Sequence, residues 1–210
     1  MEKKMTAKVR WMLKKMATSI GIMAIIILTF PYLCAASPLT DFSKGSTAVD
    51  VSYNIHTFEG LNNSYSYGVT TGLGNDWALN FRQAGYDPHH NLYNYKAINR
   101  EMNAFRKIDD NWQIYGGYST TSGSGNGTSL HKNVVQGGVI GTKKLNERTT
   151  FFANMGGGEN VTNIEFGFSY QLQPGWEVST VYRHLTVEKI HQYDDKLNLR
   201  CISLGLTWKL

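Results

Sequence analysis

Two cysteines in 210 residues rule out a disulfide-stapled fold. Four prolines, with no Pro-rich or Ser-rich stretch, leave no seam at which to divide the chain. Long apolar runs are confined to one, from about Ala17 to Leu33. Beyond it, apolar residues seldom recur at helical spacing, so an all-α or α/β domain is excluded. No HExxH, GxSxG or Gly-Lys-Ser/Thr signature occurs, which removes the common hydrolase and phosphate-binding motifs.

The excess of positive charge is also only apparent. Lys3, Lys4, Lys8, Arg10, Lys14 and Lys15 precede the apolar run, which is followed by Ala35-Ala36-Ser37. This is the pattern of a secretory signal peptide over residues 1–36, expected to be cut after Ala36. A retained transmembrane anchor is the alternative, because the run is near the lower length for a spanning helix. Six of the 21 Lys/Arg and one of the 16 Asp/Glu lie in 1–36, leaving 15 of each sign in 37–210. A neutral mature chain without a basic, aromatic-laced patch is not a nucleic-acid binder. Removal of Cys34 with the presequence also leaves Cys201 without an intramolecular partner.

What is abundant is alternation. From Cys201 to Leu210 the residues Ile202, Leu204, Leu206, Trp208 and Leu210 fall on one face, and Cys201, Ser203, Gly205, Thr207 and Lys209 on the other. Similar runs recur at hairpin spacing and predict ten antiparallel strands, at about 46–58, 63–74, 77–87, 95–108, 111–120, 132–145, 148–158, 162–172, 175–187 and 196–210. Eight or twelve remain open, because the fourth run sets Arg100 and Arg106 in phase with Met102 and Ala104. The sixth run does not choose between Val134 and Val135. The fold class is thus all-β, a single up-and-down transmembrane β-barrel over 37–210.

Four short turns, Leu73–Trp77, Ile108–Trp112, Leu145–Thr149 and Leu172–Trp176, join the runs, and three lead directly into Trp. Asn, Asp and Pro-Gly suit tight hairpins, and Trp suits the headgroup level, so Trp77, Trp112, Trp176 and Trp208 are predicted to line one membrane interface. The other connections, near 59–62, 87–95, 120–132, 158–162 and 191–196, are mostly longer and rich in Gly, Ser, Asn and His. Short turns then face the periplasm and longer loops the exterior.

Parity places Val49, Val51, Tyr53, Ile55, Tyr65, Tyr67, Val69, Leu79, Phe81, Ile114, Ile164, Phe166, Phe168, Tyr170, Val178 and Tyr182 outside, with the Trp row. Inside lie Ser52, His56, Asn80, Tyr115, Ser169, Gln171 and Ser179, together with a predicted lumen lining of Asp50, Asn54, Arg82, Gln113, Glu165, Glu177 and Arg183. Charges of both signs in a low-dielectric wall must pair or reach water. A soluble lipocalin-like barrel would reverse this parity, with apolar residues inside.

The signal peptide, the start Ser-Pro-Leu-Thr-Asp-Phe-Ser-Lys-Gly, the turn-Trp hairpins and the alternating terminal strand resemble the small single-chain outer-membrane β-barrel proteins of diderm bacteria, of a porin-like type. The resemblance implies location in the outer membrane and contact with its lipid and lipopolysaccharide. It also implies insertion by the barrel assembly machinery, which reads a terminal strand ending in an aromatic; here Leu210 is last and Trp208 two before it.

Three functions follow as expectations: a small channel for hydrophilic solutes; a closed structural or adhesive barrel using its outer loops; and a rim enzyme, protease or lipid-modifying. The rim enzyme would draw on Asp87, His89, His90, His191, Asp194 and Asp195, yet polar residues belong in such loops, and no enzyme activity is expected. Gly123–Gly127 and Gly156–Gly158 read as loop and hairpin glycines, Cys201 as an inward filler, and no cofactor or metal is expected. The sequence leaves the oligomeric state open.

Overall fold

The computed structural model describes residues 38, 40–56, 61–90, 93–94, 96–125, 128–188 and 196–210. The predicted signal peptide lies outside them. Twelve strands form: β1 Thr47–Ile55, β2 Leu61–Asn62, β3 Ser64–Gly74, β4 Trp77–His90, β5 Tyr93–Asn94, β6 Lys96–Lys107, β7 Trp112–Gly125, β8 Thr128–Lys144, β9 Thr149–Gly158, β10 Val161–Gln173, β11 Trp176–Glu188 and β12 Lys196–Lys209. The two-residue β2 and β5 pair only with β4. The ten long strands close a ring in the order β1-β3-β4-β6-β7-β8-β9-β10-β11-β12, and every pairing is antiparallel. The seam between first and last strands is shut by Thr47 N to Leu210 O (3.3 Å) and Leu210 N to Thr47 O (2.7 Å). Ten of the predicted runs become these ten strands, so the count of ten holds.

Turn chemistry explains the short-turn end. Asn75 and Asp76, at φ 52° and 64°, form the two-residue left-handed link between β3 and β4, a conformation their short polar side chains tolerate. Pro174-Gly175, with Gly175 at φ 81°, is the type II counterpart between β10 and β11. The other two turns share one device. Asp109 Oδ1 accepts from Asn111 N (2.7 Å) and Trp112 N (2.9 Å), and Asn146 Oδ1 accepts from Arg148 N (2.9 Å) and Thr149 N (2.8 Å).

The outer face is apolar and the inner face largely polar, which is the reverse of a soluble barrel. Val51, Tyr65, Tyr67, Val69, Leu79, Phe81, Ile114, Phe166, Phe168 and Tyr170 are exposed on the outside. Tyr53 has the same parity but is only 7% exposed, because its ring tilts against Tyr65, 5.2 Å away. Val135 at 76% exposure and Val134 at 4% settle the ambiguous sixth run: Val135 faces out and Val134 in.

Glycine makes room for one large inward side chain. Tyr115 on β7 lies across β8 and β9, where a Cβ added at Gly138 or Gly156 would stand 2.5 or 2.0 Å from its hydroxyl. Gly156→Ala is therefore expected to destabilise the barrel by about 1–3 kcal/mol, as overpacking does. Combining it with Tyr115→Ala should recover part of the loss in denaturant midpoint. Recovery is partial because Gly137 O also lies 2.8 Å from the added Cβ.

Candidate functional site

The lumen is layered. At the short-turn end the segment before β1 folds back under the barrel, with Gly45 N donating to Gly72 O (3.0 Å) and Gly74 N to Phe42 O (3.0 Å). This hook inserts Phe42 among Ala48, Ala78 and Phe105, forming an apolar floor. Towards the loop end a second apolar layer is made by Ala84, Ala97, Val134, Val161, Leu185 and Val187, all buried. The sequence reading of a polar interior thus describes the layer between them. The inner face is interrupted by apolar residues at both levels.

In that middle layer four charges meet, with Asp50 nearby. Arg183 Nη2 lies 2.6 Å from Glu101 Oε1 and its Nε 2.9 Å from Glu165 Oε1, while Arg82 Nη1 lies 2.9 Å from the same Glu165 oxygen. Asn163 joins them, accepting from Arg183 Nε (3.1 Å) and donating to Glu165 Oε1 (3.2 Å). Glu165 and Arg183 sit opposite each other on adjacent strands. The other two pairs are different: β4 and β10, and β6 and β11, are each five places apart in the ring of ten. Arg82–Glu165 and Arg183–Glu101 therefore run across the lumen between facing walls. Arg183 is 2% exposed, Asp50 4%, Glu165 7% and Glu101 8%. Next to this network is a cavity of about 90 Å³, with Asp50, Arg82, Tyr115, Asn154 and Glu165 in its lining and Pro38 and Phe42 at its edge.

The predicted lining residues are distributed as follows. Asp50, Arg82, Gln113 and Glu165 line the cavity, and Arg183 joins Glu165 to Glu101. Asn54 belongs to a separate inward network, donating to Ser66 Oγ (2.7 Å) and accepting from Ser203 Oγ (2.7 Å), with His56 Nε2 2.9 Å from Ser64 Oγ. Glu177 is near the short-turn rim, paired with Lys209. Glu101, Asn103, Phe42 and the upper apolar layer were not among the predicted lining. Glu101 was hidden by the fourth run, in which Arg100 and Arg106 blurred the parity. Cys201 is buried and inward, with Sγ 3.5 Å from Ser203 Oγ.

The same two arginines define the membrane boundaries on the outer face. Arg106 lies over Trp77, 5.6 Å from the ring, and Trp176 stacks on Trp208 at 5.7 Å, so the Trp row occupies the short-turn end together with exposed Trp112. Arg100 sits in an opposite, polar row: its Nε donates to Gln83 Oε1 (2.8 Å), and Thr120 donates to Asn133 Oδ1 (3.0 Å). The register makes Gln83, Arg100, Thr120 and Asn133 one continuous line over β4, β6, β7 and β8. On β11 and β12 polar residues also stand on the outer face above the apolar stretch, with His184 opposite Arg200 and Thr186 bonded to Asn198 (3.0 Å). From Trp208 to Arg200 the outward residues Leu206, Leu204 and Ile202 are apolar. Eight residues at about 3.4 Å, tilted about 40°, span about 21 Å, close to the apolar height of outer-membrane barrels.

Of the rim residues weighed for catalysis, the backbone of Asp87, His89 and His90 is in β4, and His191, Asp194 and Asp195 lie outside the described residues. Among the described residues no three His, Cys, Asp or Glu side chains converge as a metal site would need.

Two outcomes are expected. Arg183→Met leaves Glu101 and Glu165 buried without their shared cation and should cost about 3–5 kcal/mol in denaturant unfolding. The triple variant that also carries Glu101→Gln and Glu165→Gln should be closer to wild type than Arg183→Met alone. In the hook, the Ser43 hydroxyl and then its N–H hold the Asp41 carboxyl below the ordinary carboxylate range. That contribution is present above the ordinary value and is lost as pH falls through the lowered one. Hydrogen exchange at Gly74 N, corrected for intrinsic rate, should therefore quicken on acidification. Asp41→Asn should show the quickening already at neutral pH.

No protein-family model and no curated sequence matches the chain. Among solved structures it is similar to the Yersinia pestis outer membrane protein Ail in a phospholipid bilayer nanodisc, at 12% identity and TM-score 0.42 over 80% of this chain and 100% of that one. It is likewise similar to Neisserial surface protein A, at 14% and 0.41 over 79% and 96%, and to the NanC porin, at 17% and 0.43 over 78% and 100%. Likeness at this level adds nothing to the geometry. The closed ladder, the outward apolar belt and its two boundary rows make the chain a small outer-membrane β-barrel.

Proposed function

We propose that the protein is a closed outer-membrane barrel that acts through its loop-end surface, conducting no solute and catalysing no reaction. The observation that carries this reading is the pair of ion bonds across the lumen, Arg82–Glu165 and Arg183–Glu101, in which Glu165, Arg183 and Glu101 are buried and the Arg82 side chain is 16% exposed. In a water-filled channel such groups would be hydrated, and a continuous path would have to pass between them. The apolar layers above and below work in the same direction, because a narrow constriction without polar groups dewets.

Closure fits the strand number, since barrels near eight strands fill with side chains. On this reading outer-membrane lipid and lipopolysaccharide surround the belt between the Trp row and the polar row. The barrel assembly machinery receives the chain through β12. A porin-like channel would need the four-charge cluster to come apart.

The test is electrical. Mature protein refolded in detergent and inserted into a planar bilayer, with insertion verified by protease protection, is expected to give a silent trace. Phe42→Ala should stay silent, because the charged layer and the upper apolar layer remain. Discrete current steps from the wild type, with ion preference altered by Arg82→Ala, would replace this reading with that of a solute channel.

A further inference from the structure

The walls of the barrel end at different heights. β9 stops at Gly158, which pairs with Gln136 of β8, and turns through Glu159-Asn160 into β10. β8 continues for eight further residues, 128–135, bonded to β7 throughout. On its other side these residues have no strand partner among those described. The direction of their backbone groups follows from one bond near the opposite end. Thr142 N donates to Asn111 O, on the β7 side. Even-numbered residues of β8 thus turn their N–H and C=O towards β7, and odd-numbered ones turn theirs away. The N–H and C=O groups of Ser129, His131 and Asn133 consequently point into the gap above the β9–β10 turn.

The gap is a shaped notch of about 430 Å³, walled by Tyr118, Asn133 and Val135 and floored by Glu159 and Asn160. Tyr118 and Val135 are cross-strand partners and both exposed, giving an apolar patch beside the free edge. The edge begins at the polar row, since Asn133 is in that row. The unpaired backbone is therefore on the water side of the boundary, where it is tolerated; in hydrocarbon it would not be. Soluble edges are usually blunted by proline, bulges or outward lysine. Here no proline occurs in 128–135, and Lys132, which lines the notch from the inward face, is held by its Nζ donating to Glu188 O at 2.5 Å instead of projecting outward.

We infer that the free edge of β8 above the polar row is a docking strand, to which an extended segment of another polypeptide adds by backbone pairing, with an apolar side chain against Tyr118 and Val135. A row of alternate donors and acceptors is complemented by extended backbone and by little else. A second copy in the same membrane does not fit. Rotation about the membrane normal inverts the horizontal tilt of its β8, so two strands each tilted about 40° would cross at about 80°. The inference rests on the outward-acting reading above, but the two fail separately: current steps with intact peptide binding would remove only that reading.

The probe is a short alternating Val–Thr peptide with a terminal lysine and a fluorescein, titrated against the mature barrel in nanodiscs and read by anisotropy. Saturable binding is expected, weakened about tenfold or more when alternate amides of the peptide are N-methylated, since each methyl removes a pairing bond. Asn133→Pro removes one donor from the free edge and leaves the β7 ladder intact, so it should weaken binding by a similar factor. Asn133→Ala, which loses only the side chain, should bind like wild type. No binding to the wild type, equal binding of the methylated peptide, or unchanged binding to a folded Asn133→Pro barrel would each overturn the inference. If Asn133→Pro does not fold, His131→Pro, whose N–H also faces the notch, serves in its place.

Discussion

The constraint on which the interior depends is the placing of four charges where water has little room. A guanidinium and a carboxylate taken out of water lose several kcal/mol each, and their mutual attraction restores this only if hydrogen bonding is nearly complete. Arg183 meets that condition by touching two carboxylates and one amide at once. Glu165 in turn is shared between two arginines and Asn163. Because two of these bonds cross from wall to opposite wall, they fix the distance between strands that share no ladder. An up-and-down barrel is otherwise tied only between neighbours, and the cluster supplies the missing transverse restraint.

Layering follows from the same electrostatics. A charged cluster open to solvent at either mouth would be weakened by screening and by competing water. The Phe42 floor and the layer of Ala84, Ala97, Val134, Val161, Leu185 and Val187 hold it in a low dielectric. The hook before β1 is in this sense part of the barrel wall. It donates one side chain inward, and its backbone pairs with β3 at Gly72 and Gly74. Gly72 is suited to that approach, since a Cβ there would lie 2.3 Å from Ser43 O.

Much of the architecture was legible because the side-chain period of a strand is two and one face meets lipid. Alternation alone located the ten strands to within a few residues at most ends, and the turn residues located the short-turn rim. Where the signal failed, a specific physical reason can be named. Arg100 and Arg106 share a face with Met102, which confused a reading based on hydropathy. Both lie at membrane boundaries, one bonded to Gln83 and one over Trp77, where charge and lipid coexist. That confusion concealed Glu101. Adjacent valines at 134 and 135 carry no parity information. Nor could alternation reveal the inward apolar layer, because Val, Leu and Ala on the polar face resemble noise in the pattern until the ring closes and brings them together.

The unequal walls express a limit that hydrocarbon sets and water lifts. Within the belt every backbone group must be paired, so all ten strands run from the Trp row to the polar row. Above that row pairing is optional, and strand length is free to vary. On the side of β4, β6, β7 and β8 the sheet continues upward, with Lys96 still opposite Ser124 and Gly125 opposite Thr128. On the side of β9 and β10 it stops at once in a two-residue turn, with Asn160 at φ 59°. The height of the barrel at each point is thus set by lipid up to the boundary and by sequence beyond it.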